Sequence, residues 1–390
     1  MGHIYPSAVP YAKLFRVNGY RFLVGLFESA YFPAVHYVLG SWYRGDEINR
    51  RGGVFYVGLT LGTLTAGLLQ SASTTYLDGV HGLAGWRWLF IINAIITIPV
   101  GLAGPFIWPG TPEKATSLFL SKEEIELARS RLERAGHNHS SEITWAKIRG
   151  VFLNSKFYIL VIWDIFFWNA STNTSTGGYL LWLKSLGEFS TAHVNQLGAI
   201  SPAIGIFYVL FICFGADLFL GRAGAITLAH TWNLIGLIIL IVWDVPRSAK
   251  WFAFNTTYSA VAMSSVLHGW TNDILRAEPD VRSFMLIAMT AISQSTTAWT
   301  PLLVYKTVEA PEFLKGYSFT AANSVCLIGM TWIVKYLHDR QESAFYIASA
   351  YSDANDSRAQ EKAVEDSSSP TSLEATGKDG ADPSVVMVSI

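Results

Sequence analysis

Two charged residues stand inside the first long apolar stretch of this 390-residue chain. Arg21 and Glu28 are seven residues apart, about two helical turns, so on a helix they share one face. A charge inside a membrane span is costly and usually functional. We expect Glu28 to bind and release a proton or to pair with a cation, and Arg21 to tune it or to bind an anion. The alternative is that Arg21 snorkels to the membrane interface and that Glu28 makes a structural ion pair.

A second group of polar side chains lies in the fourth apolar stretch. Asp164, Trp168 and Ser171 stand at positions i, i+4 and i+7 and therefore share a helix face. They could contact a substrate or a proton, or they could form a buried, hydrogen-bonded packing group. Further candidates for contact with a polar substrate follow along the chain: Asn255, Tyr258, Gln294 and Trp299.

The histidines are interpreted more simply. His36 and His230 are predicted to be hydrogen-bonded interior side chains, with Asn233 one turn from His230. His137 and His139 do not indicate a metal site, because their segment offers no third ligand at a recognisable spacing. The sequence contains no nucleophile elbow, Walker loop, dinucleotide fingerprint or zinc-ligand pair. We therefore predict no enzyme, no metal site and no cofactor.

The elements that must position these residues are membrane helices. Only 15% of the residues are charged, against about 25% in an average soluble protein, and the mean hydropathy is +0.31. The apolar residues form blocks of about 20 residues, which is long enough to cross a bilayer. The near-zero net charge gives no indication of a nucleic-acid partner. We predict nine spans, at about 20–42, 53–72, 88–108, 157–182, 194–214, 223–243, 251–270, 283–304 and 317–337.

The basic residues indicate orientation, since cytoplasmic loops are enriched in Lys and Arg. The loops after spans one, three, five and seven hold most of them and are predicted to be cytoplasmic. The arginines of these loops are predicted to form, with Asp217, salt bridges that gate the cytoplasmic face; the alternative is that they only set the topology. The arginines in question are Arg44, Arg50, Arg51 and Arg222.

Polar segments divide the chain into four predicted parts. Ser121 and Glu124 form a capping box that should start an amphipathic helix within a cytoplasmic linker. The last part is rich in Ser, Asp, Glu and Ala and is predicted to be disordered. The parts are a partial N-terminal bundle of three spans at 1–108, the linker at 109–156, a six-helix bundle at 157–338 and a cytoplasmic tail at 339–390.

Several motifs resemble those of the major facilitator superfamily. Arg21-x-x-x-Gly25-x-x-Glu28-x-Ala30 resembles the fourth-helix motif of that family, and the segment Asp-Glu-Ile-Asn-Arg-Arg-Gly at 46–52 resembles the loop that follows. Gly215-Ala216-Asp217 with Gly221-Arg222 resembles the loop between helices eight and nine. The resemblance implies an all-α polytopic membrane protein with a major facilitator-type helical bundle of about nine transmembrane helices. It also implies that the bundle is N-terminally incomplete, because the match starts at helix four.

Finer matches point to the anion:cation symporter branch of that family. Gly85-Trp86-Arg87-Trp88 and Trp182-Leu183-Lys184-Ser185 resemble segments of fungal pantothenate transporters. This resemblance implies proton-coupled symport of a small organic anion or vitamin such as pantothenate, across a lipid bilayer that we expect to be the plasma membrane. The predicted substrate and proton pathway consists of Arg21, Glu28, Asp164, Trp168, Asn255, Tyr258 and Gln294.

Two alternatives remain open at the level of sequence. The substrate could be allantoate, nicotinate or another carboxylate. The chain could also be a truncated, non-transporting partial bundle that regulates or accompanies a full-length transporter.

Overall fold

The computed structural model describes residues 11–115, 118–137 and 144–368. These residues form helices and turns, with no strand among them. The chain divides into two compact units, Met1–Lys335 and Tyr336–Ile390. The α-helices are α1 Tyr11–Glu28, α2 Tyr31–Trp42, α3 Ile48–Tyr76, α4 Gly85–Ile107, α5 Lys122–Arg134, α6 Trp145–Leu153, α7 Ser155–Ala170, α8 Gly178–Ser185, α9 Thr191–Gly198, α10 Ile200–Leu218, α11 Gly221–Val242, α12 Arg247–Thr256, α13 Ser264–Ile274, α14 Pro279–Val304 and α15 Leu314–Ser368.

Five helical segments of the described chain are long and apolar enough to cross a membrane, or six if a pair bent by 70° counts as one span. One of them, Thr191–Val242, has 52 residues and contains both the fifth and the sixth predicted span. The seventh predicted span is divided between the short helices α12 and α13, and the eighth lies within α14; neither is among these segments. The other segments are Asn18–Trp42, Ile48–Tyr76, Gly85–Ile107 and Leu314–Ala344, and the bent pair is Trp145–Leu153 with Ser155–Ser185.

Three predicted spans are interrupted rather than continuous. The first breaks between α1 and α2, the fourth at a 3₁₀ turn, Thr172–Thr174, and the seventh at a second 3₁₀ turn, Thr257–Ala260. Hydroxyl side chains at these points bond to nearby backbone carbonyls: Ser29 Oγ donates to Leu26 O at 2.8 Å and Ser171 Oγ to Phe167 O at 3.0 Å. Such local bonds compete with regular helix, so an apolar segment of membrane-spanning length need not be one continuous helix.

Helix α3 is the centre of the packing in the first unit. It lies along α10 and also contacts α9, α13 and α4, while α2 packs against α13 and α14. Glycines permit the close approach of α3. A Cβ on Gly53 would lie 2.5 Å from Cys213 Cβ, and one on Gly52 would lie 2.8 Å from Ser265 Cβ. The polar residues of α2, α7, α13 and α14 are thereby enclosed among packed helices.

Helix α4 is largely exposed, in contrast to the closely packed helix α3. It presents large apolar side chains outward, among them Phe90, Ile95 and Leu102. Apolar side chains that stay exposed on a helix of this length suit contact with lipid tails. This helix therefore does not enclose the polar interior formed by the described residues.

The polar linker contains the predicted capping box. Glu124 N donates to Ser121 Oγ at 3.2 Å, and Ser121 N donates to Glu124 Oε2 at 2.9 Å, so α5 begins where the sequence indicates. The Ser121 backbone N–H also lowers the pKa of Glu124. Helix α6 is an additional element of the linker. His139, one of the two histidines considered for a metal site, lies outside the described residues.

The segment that follows Asp339 differs from the predicted disorder. Helix α15 continues to Ser368, and residues 369–390 lie outside the described chain. The segment contains many Ala, Glu, Gln, Lys and Arg residues, which have high intrinsic helix propensity. Its low hydrophobicity suggested disorder, but local helix propensity favours the helical form.

Candidate substrate and proton site

A group of completely buried polar side chains lies where four helices meet. Asp164 comes from α7, His268 from α13, His36 from α2 and Ser293 from α14. Each of these side chains is at most 2% exposed. Burying a charged or polar group is costly unless it is paired or hydrogen-bonded. We call these four residues the Asp164 cluster.

The two carboxylate oxygens of Asp164 have different hydrogen-bonding environments. Ser293 Oγ donates a hydrogen bond to Asp164 Oδ2. The other oxygen, Oδ1, lies 3.7 Å from His268 Nε2, which is longer than a direct hydrogen bond. Neither Oδ1 nor His268 Nε2 makes a hydrogen bond of standard geometry within the part of the chain that the structure describes, and the Trp168 side chain lies within hydrogen-bonding reach of the Asp164 carboxylate.

The tautomer of His268 follows from its other nitrogen. His268 Nδ1 lies 2.9 Å from the Ser264 carbonyl oxygen, and a carbonyl can only accept, so Nδ1 carries the hydrogen. In the neutral ring, Nε2 then presents a lone pair towards Asp164 Oδ1. Two acceptors that face each other at this distance would both be satisfied by one added proton. The pair is therefore arranged to hold a single proton on either partner.

His36 extends the cluster across the contact between α2 and α13. Its ring centroid lies 4.9 Å from that of His268, and Phe32 packs edge-on against His268 at the same centroid distance. His36 Nδ1 donates to Phe32 O at 3.0 Å. Asn272 Nδ2 donates to the carbonyls of both His36 and His268. A helix from the first part of the chain and one from the last part are thus held together beside Asp164.

The structure brings together only some of the predicted pathway residues. Trp168 lies next to the cluster, with its ring 6.2 Å from that of Phe32. Arg21 and Glu28 are exposed on α1, and Gln294 is exposed on α14 although its neighbour Ser293 is buried. These three side chains do not face Asp164 in this arrangement.

Asn255 and Tyr258 lie at the second helix break. Asn255 belongs to α12 and lies next to the hydroxyl of Tyr179. Tyr258 belongs to the 3₁₀ turn Thr257–Ala260, packs against Gly205 of α10 and reaches Thr63 of α3. Both side chains are half-buried. The described contacts of these two side chains are with residues other than the four of the Asp164 cluster.

Two of the predicted gating arginines make contacts between helices at the predicted cytoplasmic end. Asp217 Oδ2 accepts from Arg50 N at 2.9 Å and from Arg50 Nε at 3.3 Å, and Asp217 Oδ1 accepts from Asn49 Nδ2 at 2.6 Å. Arg222 donates to Asp273 Oδ2 and to the Gly45 carbonyl, each at 2.7 Å. These contacts join the start of α3 and its preceding loop to α10, α11 and α13.

The other two arginines remain local. Arg44 pairs with Asp46 of its own loop at 3.3 Å, and both side chains are exposed. Arg51 lies over the Tyr43 ring at 5.2 Å. Neither contact joins the start of α3 to the later helices, so Arg50 and Arg222 provide the contacts that could gate this end.

Sequence reasoning missed three residues of this region. His268 completes the Asp164 pair, Asp273 receives Arg222, and Arg282 donates to Gly40 O and Ser41 Oγ at 3.0 Å each. A usable signal existed, since each is an ionisable residue within or at the end of a predicted span. Among the described residues, no group of three or more His, Cys, Asp or Glu side chains is arranged to hold a metal ion.

Comparison with known proteins identifies the family. The model of the Major Facilitator Superfamily matches residues 17–278. The chain is 43% identical to the vitamin H transporter of Saccharomyces cerevisiae over 341 residues, which is 85% of this chain and 57% of that protein. It is 30% identical to a pantothenate transporter of Schizosaccharomyces pombe over 83% of this chain and 63% of that protein.

A pantothenate transporter of Saccharomyces cerevisiae is 28% identical over 86% of this chain and 67% of that protein. The chain thus spans about three fifths of the length of these relatives. All three carry transporter names, which confirms the prediction that the chain is not an enzyme. The helical architecture and the family match together identify an integral, multi-pass membrane protein, and the chain belongs to the major facilitator superfamily.

Proposed function

We propose that this chain carries out secondary transport of a small carboxylate vitamin, coupled to protons, at the plasma membrane. The names of the relatives support a vitamin substrate, and the higher identity to the vitamin H transporter favours vitamin H over pantothenate. Both compounds are carboxylates at neutral pH. A co-transported proton would offset the charge of such an anion in the bilayer interior.

One observation carries the proposed coupling to protons. Asp164 Oδ1 and His268 Nε2 face each other at 3.7 Å in a completely buried position. The arrangement offers a place for one proton, and it lies where α2 meets helices from the later part of the chain. Loading and release of that proton would change the contacts between these helices, which is what coupling requires.

Uptake by the purified chain in liposomes tests this proposal. Labelled vitamin H and labelled pantothenate would be offered with and without an inward proton gradient. We expect accumulation of at least one of them with the gradient, and loss of accumulation when a protonophore is added. Uptake that is equal with and without the gradient would contradict coupling, and uptake of neither compound would contradict the transport proposal. Competition by allantoate and nicotinate would show whether another carboxylate is preferred.

A second candidate function is favoured by the position of Arg21 and Glu28. Both are exposed on α1, within a segment long and apolar enough to cross a membrane. Charged side chains in a membrane normally face protein or water rather than lipid. The chain could therefore be a partner or regulator of a full-length transporter. Stable co-purification with a co-expressed full-length relative, together with no uptake by the chain alone, would favour this function.

A further inference from the structure

Two of the helix breaks face each other inside the bundle. The turn Thr172–Thr174 follows α7, and the turn Thr257–Ala260 follows α12, and the two turns are in contact. Ser171 Oγ, at the start of the first break, donates to the Ala260 carbonyl in the second at 3.2 Å. Helix α11 packs against the second break and presents His230 and Asn233. Interrupted helices inside a membrane protein are tolerated where they line a site or are buried in protein.

Several polar atoms at this position make no hydrogen bond of standard geometry within the described residues. His230 is completely buried and lies next to the Ala260 carbonyl, yet neither of its ring nitrogens makes a hydrogen bond of acceptable geometry within the described chain. The same is true of Asn173 Oδ1 and Ser259 Oγ, whose residues are 8% and 2% exposed. Buried polar atoms are nearly always paired in folded proteins. Buried atoms of this kind, close to the contact between the two breaks, could bond to a further polar group.

The surrounding contacts hold these groups in place. Asn173 Nδ2 donates to Asn233 Oδ1 at 3.2 Å, and Asn233 Nδ2 donates to the Ala170 carbonyl at 3.2 Å. Phe167 packs edge-on against His230, with ring centroids 6.4 Å apart. The side chains are therefore oriented before any ligand arrives, which reduces the entropy cost of binding. We call Asn173, His230, Asn233 and Ser259 the break site.

The chemistry of the break site selects an uncharged ligand group. Its side chains are two amides, an imidazole and a hydroxyl, which can donate and accept hydrogen bonds but include no fixed charge. A buried charged group would lack a counter-ion here, whereas an amide or a urea offers both an N–H donor and a carbonyl acceptor. This interpretation rests on the proposed function, which supplies a substrate with a carboxylate at one end.

We propose that the break site binds an uncharged amide or urea group of the transported carboxylate, and so determines which carboxylates are accepted. A site built to hydrogen-bond a polar group rejects analogues that lack the group, because its own buried atoms then stay unpaired. Vitamin H contains a cyclic urea and pantothenate contains an amide, while simple fatty acids contain neither.

Binding to the purified full chain tests the proposal with three probes: vitamin H, pantothenate and hexanoate. We expect the wild-type chain to bind at least one of the two vitamins tightly and hexanoate weakly. His230→Ala and Asn173→Ala should each lower affinity for the vitamin by about tenfold or more, and leave hexanoate binding unchanged. Ser259→Ala removes an unpaired hydroxyl with almost no loss of volume, so it should fold normally and lower vitamin affinity severalfold.

Asn323→Ala is the matched control, because Asn323 bonds only to the Phe319 carbonyl of its own helix among the described contacts. This variant should bind all probes like the wild type. Wild-type binding of a vitamin that none of the three break-site variants weakens would overturn the break-site proposal alone, as would an equal loss for vitamin and hexanoate. A wild-type chain that binds neither vitamin would overturn the proposed function and the break-site proposal with it.

Discussion

Asp164 Oδ1 and His268 Nε2 lie 3.7 Å apart, and both side chains are completely buried. They come from helices separated by about a hundred residues of sequence, and neither atom makes a hydrogen bond of standard geometry within the described residues. His268 Nδ1 donates to the Ser264 carbonyl, so Nε2 of the neutral ring is an acceptor, as is Asp164 Oδ1. Neither atom can donate a hydrogen bond to the other. A proton placed between them would satisfy both.

The first prediction concerns this pair. Asp164→Asn should remove accumulation driven by a proton gradient while exchange of labelled for unlabelled substrate continues. With one proton per substrate, one pH unit supplies about a tenfold accumulation ratio, and the variant should fall to a ratio of about one. The measurement is uptake into liposomes at a fixed pH difference, compared with exchange at equal pH.

Glu28→Gln is the informative comparison for Asp164→Asn. The sequence alone led to the expectation that Glu28 binds and releases the proton or pairs with a cation, yet Glu28 is exposed on α1 in this structure. If the proton is held by Asp164 and His268, Glu28→Gln should retain gradient-driven accumulation. Loss of accumulation in Glu28→Gln with normal accumulation in Asp164→Asn would assign the coupling to Glu28 instead.

The second prediction concerns the closure of the predicted cytoplasmic end. Asp217 is buried and receives three hydrogen bonds from Asn49 and Arg50. Asp217→Ala leaves these donors unpaired, which should cost about 1–3 kcal/mol and loosen the contact between α3 and α10. Cys213 is buried in that contact beside Gly53, so its labelling by a membrane-permeant maleimide should become faster.

The labelling experiment requires a background without the exposed Cys326, for which Cys326→Ser is suitable. Asp46→Ala is the control, because Asp46 makes an exposed pair within its own loop and exposed pairs contribute little. Unchanged labelling of Cys213 in Asp217→Ala would show that Asp217 does not hold the two helices together.

Much of the fold could be predicted, because apolar length and loop arginines are local signals. The expected family, the all-α membrane fold and the capping box at Ser121 are confirmed. The sequence also singled out Asp164, since a carboxylate within an apolar stretch is conspicuous. Its partner His268 was not identified, because nothing local relates residues that far apart. The predicted role of each pathway residue stays a prediction.

The helix breaks illustrate a signal that was present but not used. The run Ser-Thr-Asn-Thr-Ser-Thr at 171–176 precedes Gly177, and Asn-Thr-Thr-Tyr-Ser occupies 255–259. Hydroxyl and amide side chains of this kind bond to the local backbone and interrupt helices. Their apolar surroundings suggested continuous spans, and as a result His230 was predicted to be an ordinary hydrogen-bonded interior histidine. The structure places His230 next to the Ala260 carbonyl, although neither ring nitrogen makes a hydrogen bond of standard geometry within the described residues.

The third prediction tests the close packing of α3. Gly53→Ala would place a methyl group 2.5 Å from Cys213 Cβ. The backbones of α3 and α10 cannot easily move apart to accommodate it. Overpacking of this kind costs about 1–3 kcal/mol, measured as a lower unfolding temperature in detergent. Gly58→Ala on the same helix has open space within 4 Å of its Cβ and should be neutral or slightly stabilising. Equal unfolding temperatures for the two variants would argue against tight packing at Gly53.

The fourth prediction concerns His137 in the linker, which lines a cavity of about 50 Å³ together with Arg282, Ser41 and Tyr37. Burial, with a further contribution from the positive charge of Arg282, lowers the pKa of His137 from 6.5 to about 4. The folded chain therefore favours neutral His137, and this contribution to stability is complete above pH 6.5. It is lost progressively as the pH falls from 6.5 towards 4.

Lowering the pH from 7 to 5 should consequently weaken the packing of the linker beside α2 and α14, and hydrogen exchange of the α5 backbone amides should become faster. His137→Gln keeps a polar side chain but cannot take up the proton, so its exchange rates should depend less on pH, after correction for intrinsic amide exchange. His81→Gln is the control, because His81 is exposed and lies outside the linker. If His137→Gln and the wild type show the same pH dependence, protonation of another group must loosen the linker.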